Sequence, residues 1–402
     1  MNKNKLYFLK LEIQNHPLFE DDLEFSLVSD ARVTSNTSDR LTHLLGSLWV
    51  NNLITLVGTN ATGKTTIMKL LIGILQTVVM EKSIDQTKLT DVLIGNEPIS
   101  VTTYFYGTDH VVYKDSLVFK LKKTLSKSWH IESETVYRKK VTVNLSKKKL
   151  FDFKNIKPEL DRKELGDLAS SILSSDDSIF RAIISKNKYY PQIPFDTLFF
   201  TDFNALMYGS GNVPGEILNF LDPTIEYLKI ENKPEDSGAT KQLFKLKFKG
   251  KDTEIAENDF TTIAKYLSSG TAKGITLYGE VINALSVGGI IFIDELENHF
   301  NHAIVDSFIE YFTNPKININ RATLVFSTHY TEILDKIERT DEEYITKREG
   351  KIQLQRYSTA DVRSDLNKAD VFESDYLGGT APDYDAYMAL KKATEKAVKM
   401  DE

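Results

Sequence analysis

The sequence predicts an α/β fold, a sheet flanked by helices and interrupted by a long α+β segment, on three observations. A five-residue apolar run, Leu53–Val57, leads into a glycine-rich loop and then into a stretch of helical reach, Ile67–Leu75. Two more buried-type runs, Ile290–Ile293 and Ala322–Thr328, stop at acidic residues and at a histidine. Between them lie segments that alternate apolar and polar residues as ribbon strands do. Continuous apolar runs suit strands covered on both faces, the usual state of a parallel sheet.

Composition narrows the class. The 402 residues, 41% hydrophobic and 27% charged, are enough for one large core and a second subdomain. Runs such as LITLV and GGIIFI fall far short of the ~20 apolar residues that cross a bilayer. The opening MNKNKLYFLKLEI alternates rather than forming a signal-peptide core, so the expected location is the cytoplasm, away from membranes. The absence of cysteine excludes disulfides, thiolate catalysis and Cys-ligated zinc. A net charge of −7 argues against nonspecific nucleic-acid binding by the whole surface. Residues 119–163, however, hold 14 Lys or Arg against 5 Asp or Glu, so this segment carries +9 and the remainder −16. Two readings stand: ribbons (SLVFKL, ETVYRKKVTVNL) with solvated lysines on one face, or a nucleic-acid contact surface at 119–163.

Residues 58–66 read GTNATGKTT and match GxxxxGK[ST] between the expected strand and helix. Gly58 and Gly63 let the backbone curl so that successive N–H groups and a helix start face phosphate oxygens. Lys64 then reaches the β and γ phosphates, and the Thr65 hydroxyl ligates Mg²⁺. The candidate nucleotide-binding residues are Gly58, Asn60, Ala61, Thr62, Gly63, Lys64, Thr65 and Thr66.

The run GGIIFIDELE places Asp294 and Glu295 at the carboxyl end of a buried strand, where open α/β sheets put their ligands. Asp294 suits the magnesium shell, and Glu295 suits polarisation of an attacking water. The plainer reading is an acidic first turn that complements the dipole of the following helix, HAIVDSFIEYF, a role that fits Glu297. His329 ends the next buried run and is a candidate γ-phosphate contact that senses the bound state. The turn YLSSGTAKG at 266–274 begins another helix; Ser268 is an ordinary N-cap type, and Ser268, Ser269 and Gly270 also expose N–H and hydroxyl groups to an anion.

In order, GTNATGKTT, LSSGTAKG, IIFIDELE and STHYTEILD resemble the ABC-type ATPase head shared by the RecF, SMC and OLD groups, over about residues 1–80 and 262–345. That resemblance implies a P-loop NTPase with a mixed sheet flanked by helices, and ATP with Mg²⁺ as cofactors. It also implies a homodimer or higher oligomer in which Ser268, Ser269 and Gly270 of one subunit close over the ATP of another. The catalytic set is then Glu295, His329 and Lys64, with Thr65 and Asp294 on the metal. The chain departs from the pattern at Thr271, where transporter-like signatures commonly have Gln. It departs again at ENHFNHAI, which replaces a small-Leu-His-Pro run, and it offers no clear Q-loop glutamine.

The expected organisation is residues 1–80 and 262–345 as the head, 81–261 as an inserted α+β lid or arm, and 346–402 as a C-terminal docking or packing tail. No sustained heptads occur in the insertion, which excludes a long coiled coil. GNVPGEILNFLDPTIEYLKI and RSDLNKADVFESDYLGGTAPDYDAY look like the AAA-type, RloA-like ATPases of bacterial phage-defence and abortive-infection loci. Such ATPases are often encoded beside a separate effector, a nuclease-like RloB protein in RloA-like pairs. OLD enzymes carry a metal-dependent Toprim nuclease behind the ATPase. Here about 55 residues follow the last expected head strand, and Asp361, Asp365, Asp370 and Glu373 among them form no strand-based site. The expected function is therefore control of a partner effector in antiphage defence by an ATP-sandwich dimer. The alternatives are a RecF-like DNA-repair ATPase acting through the basic arm, an ATP-organised scaffold, and a transporter ATPase disfavoured by the long insertion.

Overall fold

The computed structural model describes residues 4–122, 128–166, 173–199, 211–234, 240–298, 300, 302–363, 366–378, 380 and 384–399. Most of the aromatic-rich stretch after Pro194, most of the helical stretch KELGDLASSIL, the middle of NKPEDSGATK, and His299, Asn301 and Asp365 lie outside them. Among the described residues no helix is long and apolar enough to cross a membrane.

A six-stranded mixed sheet is the centre of the head. Its order is Pro194–Asp196, Ile290–Ile293, Thr323–Thr328, Leu53–Val57, Glu343–Glu349, Lys351–Arg356. The first five strands are parallel, and the last returns antiparallel at the edge. Side chains alternate across its strands, and each of the two faces meets a different cover. Leu53, Ile291, Ile293, Leu324 and Phe326 pack with helices Ser269–Val287 and His302–Thr313. Ile54, Leu56, Ile290, Phe292 and Val325 pack with helix Lys64–Val79. Burial on both faces is why these runs read as apolar without a period of two.

A seven-stranded sheet covers the far side of the Lys64–Val79 helix. Its main path runs Tyr190–Pro191, Lys5–Gln14, Ile99–Gly107, Val111–Lys122, Ser128–Lys140, Pro158–Asp161, with Leu23–Ser26 also paired to Lys5–Gln14. The ribbons expected near 99–140 are present, yet they extend the N-terminal strand, with Leu11 opposite Thr103. The interval 81–261 is thus shared among three sheets rather than gathered in one insertion. One part of it is separate: Gly211–Asn212, Ile225–Pro234, Thr240–Phe248 and Ile255–Glu257 form a four-stranded sheet with helix Gly215–Leu221. Its own small core, with Leu228, Phe244 and Leu246, rests on Ala272 and Ile275 of the Ser269–Val287 helix.

The expected boundary at 345 falls inside strand Glu343–Glu349, which pairs with Leu53–Val57. Ile352 in the following strand stitches the layers together: its N–H donates to the Leu18 carbonyl at 2.7 Å, and its own carbonyl accepts from Glu20 at 3.0 Å. At least five of the fourteen cations of the basic segment have partners among the described residues. Lys120 pairs with Glu132, Lys122 donates to the Ser175 hydroxyl, Lys139 to the Lys149 and Asp152 carbonyls, Lys147 to the Ser29 carbonyl, and Arg162 to Glu134.

The tail is tied to the segment after His329. Asp335 accepts from the Asn367 side chain at 2.8 Å and from the Lys368 N–H at 3.2 Å, and the Thr331 hydroxyl donates to Glu373. Val371 and Phe372 pack with Val57, Leu334 and Ile345. The last helix, Tyr384–Lys399, leaves Tyr387 and Leu390 exposed.

Beside the edge strands sits a buried ionic cluster. Arg339 holds Asp341 through two hydrogen bonds of 2.9 and 2.7 Å, while Lys368 reaches Glu343 at 2.8 Å. The Glu342 carboxyl has Arg40 at 3.8 Å and no hydrogen bond among the described residues. Burial pushes the Glu342 and Glu343 carboxyls up from near 4.5 to about 8. The folded chain therefore keeps protons that the unfolded chain releases between pH 4.5 and 8, and stability falls as pH rises through that window. Glu342→Gln should leave the urea midpoint nearly unchanged at pH 5 and raise it at pH 9. An equal change at both values would contradict the assignment.

Candidate nucleotide site at three strand ends

The phosphate loop bends where its glycines allow. Gly63 adopts φ +100°, and a Cβ there would lie 2.5 Å from the Ile352 side chain. A Cβ on Gly58 would lie 2.1 Å from the Thr346 hydroxyl, so the neighbouring strand fills the space a side chain would need. Thr62 closes the loop on itself, donating to the Thr59 carbonyl at 2.8 Å, with the Thr346 hydroxyl 2.7 Å away. Gly63 offers no side-chain cap, which leaves the first N–H groups of the 16-residue helix for an anion.

Lys64 is almost fully buried beneath this loop. Its Nζ donates to the Gly58 and Thr59 carbonyls at 2.8 and 3.0 Å and lies 3.3 Å from His329 Nδ1. Burial lowers its pKa to about 8, against the attraction of Asp294, Glu295 and Glu297. The His329 ring continues toward Glu295, with Nε2 3.4 Å from its Oε1. His329 Nδ1 also lies 3.2 Å from the Gly58 carbonyl, so the ring bridges the loop and the acidic strand end.

The acidic residues separate by role. Asp294 Oδ2 accepts from the Thr65 hydroxyl at 2.6 Å, and its Oδ1 accepts from the Ser327 hydroxyl. Ser327 in turn accepts the Glu295 N–H at 2.8 Å, so one hydroxyl orients both acids. Glu295 adopts φ +47°, and Asn298 donates to its Oε2 at 3.2 Å. Glu297, expected to serve the next helix, is instead buried and accepts the backbone N–H of His329.

A cavity of about 190 Å³ opens here, lined by Asn60, Ala61, Gly63 to Thr66, Glu295, His329 and, unforeseen from the sequence, Arg348. A wider one of about 690 Å³ adjoins it, lined by Gly58 to Asn60, His329 and Thr331, with tail residues Phe372, Glu373 and Thr380 as its other wall. The turn at Ser268, Ser269 and Gly270 lines neither. Ser268 caps its helix, accepting from Thr271 N–H at 3.0 Å, and Ser268 and Ser269 are exposed. One turn further, Lys273 and Leu277 line a small gap behind Asp294 and Glu295, together with Thr197 and Phe300.

The Thr65 hydroxyl and Asp294 carboxylate form a pair of hard oxygen donors, and this fits Mg²⁺, which takes one or two protein ligands and completes its shell with phosphate and water. No cluster of three or more metal-binding side chains occurs among the described residues, and this mode of binding needs none.

A family model described as AAA domain, putative AbiEii toxin, Type IV TA system matches residues 53–335. Two solved structures of the recombination mediator protein RecF of the RecFOR pathway, RecF-ATPrS and RecF-ATP, match with 11% and 12% identity and TM-scores of 0.39. They cover 88% and 87% of this chain and 99% and 98% of their own. No curated protein matches the sequence.

Ser327 holds both acids and is out of reach of the loop cavity, so Ser327→Ala should leave nucleotide affinity within about twofold while turnover falls by about 10–100-fold. Isothermal titration beside steady-state hydrolysis separates the two; an equal loss in both would assign Ser327 to binding.

Proposed function

The chain belongs to the AAA-domain family whose model it matches over residues 53–335, and from that premise we propose a Mg²⁺-dependent ATPase. In this reading two copies close on ATP, and the cycle controls a separate partner protein in antiphage defence. The observation that carries the catalytic part is the run of contacts Lys64, His329, Glu295, Ser327, Asp294, Thr65, which joins the loop to two neighbouring strand ends.

Each member has a task in phosphoryl transfer to water. Glu295, at the cavity wall, orients the attacking water and accepts its proton; His329, set between Lys64 and Glu295, holds that carboxylate in place and faces the γ phosphate. Lys64, swinging from the Gly58 and Thr59 carbonyls, meets the charge that develops on the β–γ bridge. Thr65 and Asp294 would hold Mg²⁺, which would supply neutralisation of phosphate charge.

The Ser268–Gly270 turn supports the dimer. It tops a 19-residue helix, whose positive end and serine hydroxyls suit a γ phosphate, yet it lines neither of the two cavities described at its own loop. A second copy brings the two together. The exposed Tyr387 and Leu390 on the last helix support a protein partner, as does the family's description. The internal contacts of Lys120, Lys122, Lys139, Lys147 and Arg162 weigh against a DNA-binding arm at 119–163.

Glu295→Gln should keep ATP affinity, lose turnover by about 100-fold or more, and accumulate ATP-bound dimers in light scattering. Dimers that dissociate as fast as wild type would count against Glu295 as the hydrolytic residue. Ser268→Arg should abolish dimers and turnover while monomers still bind ATP; loss of monomer binding would refute supply of the turn by a neighbour.

A further inference from the structure

Arg348 is the cation at the phosphate cavity that the hydrolytic scheme does not use. Its strand runs parallel to the loop strand, with Ile345 beside Val57, so Thr346 falls beside Gly58 and touches Thr62 at 2.7 Å. Side chains two apart share a face, which puts Arg348 on the loop side one step further along. The hairpin gives a second fix: Arg348 lies opposite Ile352, whose side chain packs where a Gly63 Cβ would be. Both relations bring the guanidinium to the Gly63–Thr66 part of the loop, and it lines that cavity.

Its surroundings differ from those of the other arginines nearby. Arg339 is held by Asp341 and backbone carbonyls, and Arg356 donates to the Asp341 and Val28 carbonyls. Arg348 is exposed, and among the described residues no carboxylate or carbonyl pairs with it. Lys64, His329 and Glu295 contact one another and mark the γ end; Arg348 contacts none of them. With Lys64 serving the β and γ phosphates, the part of a nucleotide left at the first helical turn by Thr66 is its α phosphate.

We propose that Arg348 grips the α phosphate of the bound nucleotide in the same subunit, as a binding residue that takes no part in the transfer step. This rests on the reading of Gly58–Thr66 as a nucleotide loop. A planar guanidinium offers two parallel N–H donors to phosphate oxygens, a geometry an ammonium does not reproduce. The hairpin turn at Gly350 then acts as the side wall that sets where the nucleoside leaves the loop.

The test compares wild type, Arg348→Ala and Arg348→Lys by calorimetric titration of ATP and ADP, by pyrophosphate competition, and by steady-state hydrolysis. Arg348→Ala should weaken ATP and ADP alike by about 10-fold or more, leave pyrophosphate unchanged, and raise KM at constant kcat, with Arg348→Lys between. A loss for ATP that spares ADP, an equal loss for pyrophosphate, a fall in kcat at saturation, or unchanged affinity would each overturn it. Binding of ADP needs neither a dimer nor hydrolysis. A wild type that binds nucleotide without turnover would sink the ATPase reading alone, and an Arg348→Ala protein with normal affinity would sink this one alone.

Discussion

The hydrogen bonds that converge on Asp294 are the constraint on which the rest of the site depends. Its two oxygens accept from Thr65 and from Ser327, groups 229 and 33 residues away along the chain, and so fix three elements at one sheet edge. A carboxylate held by two hydroxyls cannot rotate without giving up a charge-assisted bond, so the distance from loop to acidic strand is set before any nucleotide arrives. Glu295 inherits its direction from the same serine, and His329 inherits its own from Lys64 and from Glu297 beneath it.

That edge is steady because its strands are clamped on both faces. One apolar layer is supplied by the Lys64–Val79 helix and the antiparallel sheet behind it, the other by the Ser269–Val287 and His302–Thr313 helices. Fully buried Phe292, Phe308 and Phe326 fill these layers, and close packing leaves little room for a strand to slide. The Ser268 turn belongs to a helix anchored in the second layer, so the phosphate loop and the turn proposed to meet a neighbour's loop sit on opposite covers of one sheet.

Local chemistry was legible in the sequence, and long-range pairing was not. GTNATGKTT announces its bend because only glycine tolerates the conformation of Gly63 against Ile352, and the apolar strands announce themselves by burial. Asp294, Glu295 and His329 stand at strand ends as their positions implied. The union of Lys5–Gln14 with Ile99–Gly107 leaves no mark in either segment, since any alternating strand accepts any other, and so 81–261 read as one unit. Ser327 was hidden as one more small residue in a buried run, Arg348 as one more charge beyond the head, and Glu297 as a helix-start acid, because each acts through a neighbour distant in sequence.

Ile352 occupies a mechanical position that follows from its three contacts. It bonds to the N-terminal segment through Leu18 and Glu20, belongs to the edge hairpin of the parallel sheet, and presses its side chain on the loop glycine. One residue thus joins the N-terminal segment, the edge hairpin and the bend of the loop at a single packing point. A smaller side chain at 352 would loosen all three at once, because close packing leaves no other group to fill the space beside Gly63.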